Sequence, residues 1–222
     1  AGTGRSGTTW LENIINSDNS YRIMFEPFRA EHTHEVSHWS NKQYIPENHE
    51  GSEFYFNAKK ILSGKVKNFW VDRFNTKFFI KKRLIKDIRI QLALKWVYNR
   101  FPQIPIVYLM RHPIAVAQSK CALNWDSNLN WFIEQPELVS DYLKEFIEDI
   151  KVANASDDNF IKHIYLWCIE NYVPLKQFEK GQIHIVFYED LCATPAIETE
   201  RLFMFLNKAM DKNLAHVLKK PS

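Results

Sequence analysis

Gly2-Thr3-Gly4-Arg5-Ser6-Gly7-Thr8-Thr9 constrains the fold of this chain more than any later stretch. Glycines at this spacing let the backbone curl so that successive N–H groups converge on one small anion. The helix that follows adds its positive end. The spacing is that of a Walker A loop, but Thr8 stands where a nucleotide hydrolase carries its lysine. The cation comes earlier, at Arg5, which suits a ligand lacking a γ-phosphate. Such a loop joins a strand to a helix, and the helix is visible in the apolar face of Leu11, Ile14 and Ile15.

The rest of the chain alternates strands and helices. Tyr21–Phe25 reads as a short strand and Ile104–Met110 as a buried one. Strand-like apolar runs also fall at 78–80 and 84–85, and Ile183–Tyr188 is a late strand. Helices are predicted at Ile88–Phe101, which Pro102 closes, and at His112–Leu123, with Pro113 in its first turn. Further helices are predicted near Glu137–Ile150, Asn159–Glu179 and Pro195–Leu206. This pattern predicts one α/β domain over residues 1–222, a P-loop three-layer fold with a mostly parallel central sheet and helices on both faces. Residues 29–76 are polar, aromatic and irregular, with a helix near Phe54–Leu62, and read as a substrate-side insertion. Both ends read as truncated, the first inside a phosphate loop and the last at a basic Lys219-Lys220-Pro221-Ser222.

A second phosphate site follows the Ile106–Met110 strand. Arg111 lies at its carboxyl end, where parallel sheets bind ligands, and Ser119 comes eight positions later. Two helical turns carry that hydroxyl alongside the arginine, so both can grip one phosphate monoester. A net charge of +3 is too small to point to nucleic acid, but suits one cleft for a small polyanion. Cys121, Cys168 and Cys192 form no CxxC pair and read as buried thiols. No apolar run approaches the ~20 residues that span a bilayer, and no signal peptide is seen.

Arg5-Ser6-Gly7-Thr8-Thr9-Trp10, together with Arg111 and Ser119, resembles the donor site of sulfotransferases that use 3′-phosphoadenosine-5′-phosphosulfate (PAPS). The arginine form is similar to the carbohydrate, tyrosylprotein and bacterial branches. The resemblance implies that Arg5 stabilises the transferring sulfuryl, that Ser6, Gly7, Thr8 and Thr9 hold the 5′-phosphate, and that Arg111 and Ser119 hold the 3′-phosphate. It implies too that Trp10 and Tyr188 lie near the adenine, with core aromatics the alternative for both. 3′-Phosphoadenosine-5′-phosphate (PAP) would be the product, and no metal is implied. Glu26, at the end of the second strand, matches the proposed general base of the glutamate branches. Pro27 after it is expected to keep its backbone extended. Lys86, in Lys86-Asp87-Ile88-Arg89, is expected to neutralise charge in the transition state.

His32, His34, His38 and His49 lack the frame of a zinc site, and lining of an acceptor pocket is the other reading. Trp125, Trp131 and Phe132 either wall the acceptor or pack in the core. The acceptor is a small molecule, a carbohydrate or a peptide, through a hydroxyl or amine. Two rival readings remain: a P-loop phosphotransferase or NTPase using Glu189-Asp190 for magnesium, and a nucleotide-binding module without catalysis. Unpaired cysteines point to the cytoplasm, with the Golgi lumen the alternative if an anchor precedes the chain.

Overall fold

A computed structural model describes residues 1–75, 80 and 82–219. The apolar pair Phe78-Phe79, Lys81 of the basic run, and Lys220-Pro221-Ser222 of the terminal basic segment lie outside the described residues.

Among the described residues four short strands form two parallel pairs. β1 (Tyr21–Phe25) pairs with β2 (Lys82–Lys86), placing Phe25 opposite Lys86. β3 (Val107–Met110) pairs with β4 (His184–Phe187), placing Met110 opposite Phe187. Ala1 and Gly2 run beside β3: the Leu109 N–H donates to the Ala1 carbonyl at 2.9 Å, and Gly2 bridges Leu109 in parallel. A cavity of about 430 Å³ lies between the pairs, lined by Lys82–Lys86 on one side and Gln103–Val107 on the other.

The layers follow from the period-two alternation of strand side chains. Tyr108 and Met110 join Met24, Ile61, Leu94, Trp96 and Val97 in one core cluster. Leu109, between them, points the other way with Val186 into a cluster of Trp10, Leu11, Ile14, Leu202 and Phe203. One cluster is thus covered by α2 (Ser52–Leu62) and α3 (Leu94–Arg100), the other by α1 (Thr8–Ile15) and α5 (Pro195–Phe205). The expected three-layer α/β fold is what the chain forms.

Two further helices complete the site's frame: α4 (Pro113–Ala122) after β3, and a long helix Asn159–Gln177, called αL here, packed against it. Asp158 caps αL, accepting from the Phe160 and Ile161 N–H groups at 2.8 and 3.4 Å. The helix expected over 137–150 is broken instead. A π turn spans Val139–Leu143, a 3₁₀ turn spans Lys144–Phe146, and an α-helix resumes at Ile147–Ala155. Leu138 and Leu143 are both buried and stand five apart, a spacing that a π turn superposes and an α turn does not. The helix expected to begin at Ile88 likewise opens with a 3₁₀ turn, Gln91–Ala93.

Candidate active site

Glu26, Asp87, Arg111 and Tyr188 each follow directly on the last residue of a strand, so all four sit at the carboxyl edge of the parallel pairs. The glycine loop opens onto the same edge. Arg5 and Gly7 take left-handed backbone, with φ of 73° and 92°, and Gly7 is the residue before α1. A Cβ on Gly7 would lie 2.6 Å from the Tyr188 ring, and one on Gly4 would lie 2.7 Å from Trp125. Glycine is therefore required at both by close approach, and at Gly7 also by conformation.

The loop and the second phosphate site meet. Arg5 Nε donates to Ser119 Oγ at 3.0 Å, and Arg111 donates to the Arg5 carbonyl at 3.2 Å. The Arg111 guanidinium lies 4.2 Å from the centre of the Tyr188 ring, whose edge packs against Trp10 at 5.7 Å. Arg5, Gly7, Arg111, Ser119 and Tyr188 are thus one constellation, assembled from residues up to 183 positions apart (5 to 188). Ser6 is buried with a hydroxyl that has no partner among the described residues. A buried donor in a curled loop beneath two arginines fits a bound phosphate. Thr8 is half-buried and Thr9 exposed. Trp10 is only 2% exposed and its indole N–H donates to the Val217 carbonyl at 3.0 Å, so it supports Tyr188 from the core.

Glu26 is buried between two cations. Lys86 Nζ lies 3.1 Å from its Oε1 and Arg89 NH1 2.7 Å from its Oε2. The expected extended backbone before Pro27 is not found: Glu26 has φ 43°. Its N–H donates to the Lys86 carbonyl at 2.7 Å, prolonging the β1–β2 pairing by one bond, and its own carbonyl accepts from Arg29. Those two bonds turn the chain sharply and override the preference of a residue before proline, at a typical cost of ~1–3 kcal/mol. Asp87 fixes the turn from beneath, accepting from the Phe28 N–H at 2.9 Å and the Arg89 N–H at 2.7 Å. Burial, and then the neighbouring Glu26 charge, push the Asp87 carboxyl above its ordinary range.

Arg89 is the partner of Glu26 that the sequence did not single out, although it lies in the Lys86–Arg89 segment. Its spacing from Lys86 is common, and only the turn at Asp87 brings both cations onto one carboxylate. Among the histidines, His32 stacks on Trp70 at 3.9 Å, whereas His38 and His49 both lie against Phe54, at 6.5 and 5.1 Å, and His49 faces Glu53 at 3.5 Å. Phe132 is core, whereas Trp125 closes over the loop at Gly4. Glu189 is engaged structurally, its Oε1 accepting from the His112 N–H at 2.9 Å at the start of α4. The described cysteines Cys121, Cys168 and Cys192 are unpaired, and Cys168 and Cys192 are exposed rather than buried. No helix among the described residues is long and apolar enough to cross a membrane.

The sequence model of the sulfotransferase family matches residues 1–212. The chain belongs to the sulfotransferase family. No curated protein matches it. Among solved structures it resembles the sulfotransferase domain from the curacin biosynthetic pathway, with TM-score 0.55 and 17% identity over 97% of this chain and 75% of that one. A sulfotransferase from Alicyclobacillus acidocaldarius aligns with TM-score 0.48 and 15% identity over 98% and 87%. At 17% identity the first of these likenesses establishes the fold alone, and residue roles in this sulfotransferase rest on its own geometry.

Proposed function

We propose that this sulfotransferase takes PAPS as donor and transfers its sulfuryl group to an acceptor hydroxyl or amine, with Glu26 as general base. The observation that carries the donor assignment is the contact of Arg5 with Ser119 and Arg111, which joins two phosphate-binding elements into one cleft. A nucleotide with phosphate groups at both 5′ and 3′ positions matches two such elements. Ser6 to Thr9 hold the 5′-phosphate, Arg111 and Ser119 the 3′-phosphate, and Tyr188 borders the base.

PAPS supplies the activated S–O bond. An acceptor oxygen or nitrogen forms its bond to sulfur as the bridging S–O bond breaks, and that electron pair leaves on the phosphate oxygen of PAP. Glu26 receives the acceptor's proton. Lys86 and Arg89 each occupy one carboxylate oxygen, which leaves each oxygen a further lone pair and holds the group still. Arg5 and Lys86 offset charge developing on the transferring group. The unpaired thiols suit a reducing cytoplasm.

Calorimetry tests the donor assignment. PAP is expected to bind at least about tenfold more tightly than ADP, in EDTA as well as in magnesium. Arg111→Ala should erase most of that preference while leaving the thermal transition in place. Equal affinities, or binding that needs magnesium, would overturn it.

A further inference from the structure

Next to Glu26 the chain builds a second feature, which rests on the sulfotransferase reading. Segment 68–75 is clamped along β1. Asn75 exchanges two 2.8 Å bonds with the Ile23 backbone, the Phe25 N–H donates to the Val71 carbonyl at 2.9 Å, and Arg22 grips Asp72 through two nitrogens. The clamp packs Trp70 and Phe74 against Phe25, with ring centres 5.3 and 4.8 Å apart. Arg73 lies among all three rings, its guanidinium 4.6 Å from Trp70, 5.2 Å from Phe74 and 5.4 Å from Phe25. The same Phe25 ring meets the Lys86 ammonium at 4.3 Å, so one ring separates Arg73 from the base's own partner.

The charges of this patch do not balance. Glu26 is taken by Lys86 and Arg89, Asp72 by Arg22, and Glu31 by Arg29 at 3.3 Å. Among the described residues Arg73 has no carboxylate partner, and it is exposed. Ring faces hold a guanidinium by its plane and leave its in-plane N–H donors free, the arrangement that binds carboxylate or sulfate with two parallel bonds. A neutral ring would find little to stack on, because His32 lies on Trp70 at 3.9 Å and Arg29 at 4.8 Å.

We propose that the acceptor is anionic: besides the group it presents to Glu26, it carries a carboxylate, sulfate or phosphate that Arg73 binds from its aromatic setting. The test uses hydroxyaryl and sugar acceptors, each prepared as the carboxylate and as the primary amide. Turnover with PAPS and binding to the PAP-loaded protein are both measured. In at least one pair the carboxylate should be preferred by about tenfold or more. Arg73→Gln should reduce that preference to within about twofold, and Arg73→Lys, which keeps the charge but not the fork, should fall between. PAP affinity should stay the same in both variants. No charge preference in any pair by either measurement, or one that persists in Arg73→Gln, overturns the inference. PAP and ADP binding on the same preparations separates the two readings. If PAP is preferred and the acceptor charge effect is missing, only the acceptor assignment falls.

Discussion

Glu26, the proposed base, is buried, its backbone is left-handed, and both carboxylate oxygens are engaged. A carboxylate that served only to neutralise Lys86 would not need φ 43°, and strain of this kind gathers where geometry matters to function. Glu26→Gln keeps the shape and one acceptor oxygen but removes the proton-accepting charge. Turnover should fall roughly 10²- to 10⁴-fold, while PAP affinity, which the proposal rests on Arg5, Arg111 and Ser119, should hold. Near-normal turnover in single-turnover assays would refute the base assignment. Arg5→Ala should instead weaken PAP binding and slow transfer together, since its charge acts on ground and transition states alike. Arg5, Arg111, Ser119 and Glu26 were legible in the sequence because each is tied to a local pattern: a glycine loop, a strand end, a helical spacing. The pairing of Arg89 with Glu26 was not, because it depends on how Asp87 bends the chain between two strands.

At the scale of the element, α1 is more than the carrier of the loop. Glu12 lies on its buried face, 8% exposed, with Oε2 lacking a partner among the described residues. Burial raises its carboxyl from 4.5 to about 7, and the Lys86 charge offsets only part of that. The folded chain therefore holds this proton where the unfolded chain has released it, so Glu12 lowers stability as pH rises from about 4.5 to about 7. Glu12→Gln should flatten that part of the profile and make the protein more stable at pH 8, by up to about 3 kcal/mol. Urea unfolding at pH 5 and pH 8 checks this; identical pH dependence in both proteins would contradict it. Strands and helices of this length were mostly readable from apolar periodicity. The segment at 137–150 was not, because a π turn places residues five apart on one face and no α-helical template anticipates that.

For the molecule as a whole, alternation of strands and helices predicted the layers, but what ties segment 29–76 to the glycine loop left no mark in the sequence. Lys42, in that segment, reaches the carboxylate of Glu170 on αL at 2.8 Å and also bonds the Ile88 carbonyl. Asn171 Nδ2 donates to Thr3 Oγ1 at 3.2 Å, and Gln91 Nε2 to the Gly2 carbonyl at 3.0 Å, so αL and the Gln91 turn carry the loop from below. Lys120, next to Ser119, is buried close by, and burial lowers its pKa although the Glu170 charge opposes this. For Glu170, burial pushes the carboxyl up, but the Lys42 and Lys120 ammoniums, with bonds from Lys42 and Thr3, outweigh it and hold it low. These contacts join residues from 46 (42 to 88) to 168 (3 to 171) positions apart, separations at which spacing carries no signal. Glu170 is thus the anion shared by Lys42, by Thr3 of the glycine loop and by Lys120 of α4. Removing one partner from a buried charge cluster strands the others, so Glu170→Ala should destabilise the fold by about 3–5 kcal/mol. Lys42→Met with Glu170→Met removes the nearest pair together, and should recover a substantial part of that loss. Denaturant midpoints for the two variants decide the matter: a double variant no more stable than Glu170→Ala would mean that the ion pair itself, rather than relief from unpaired charge, holds these parts together.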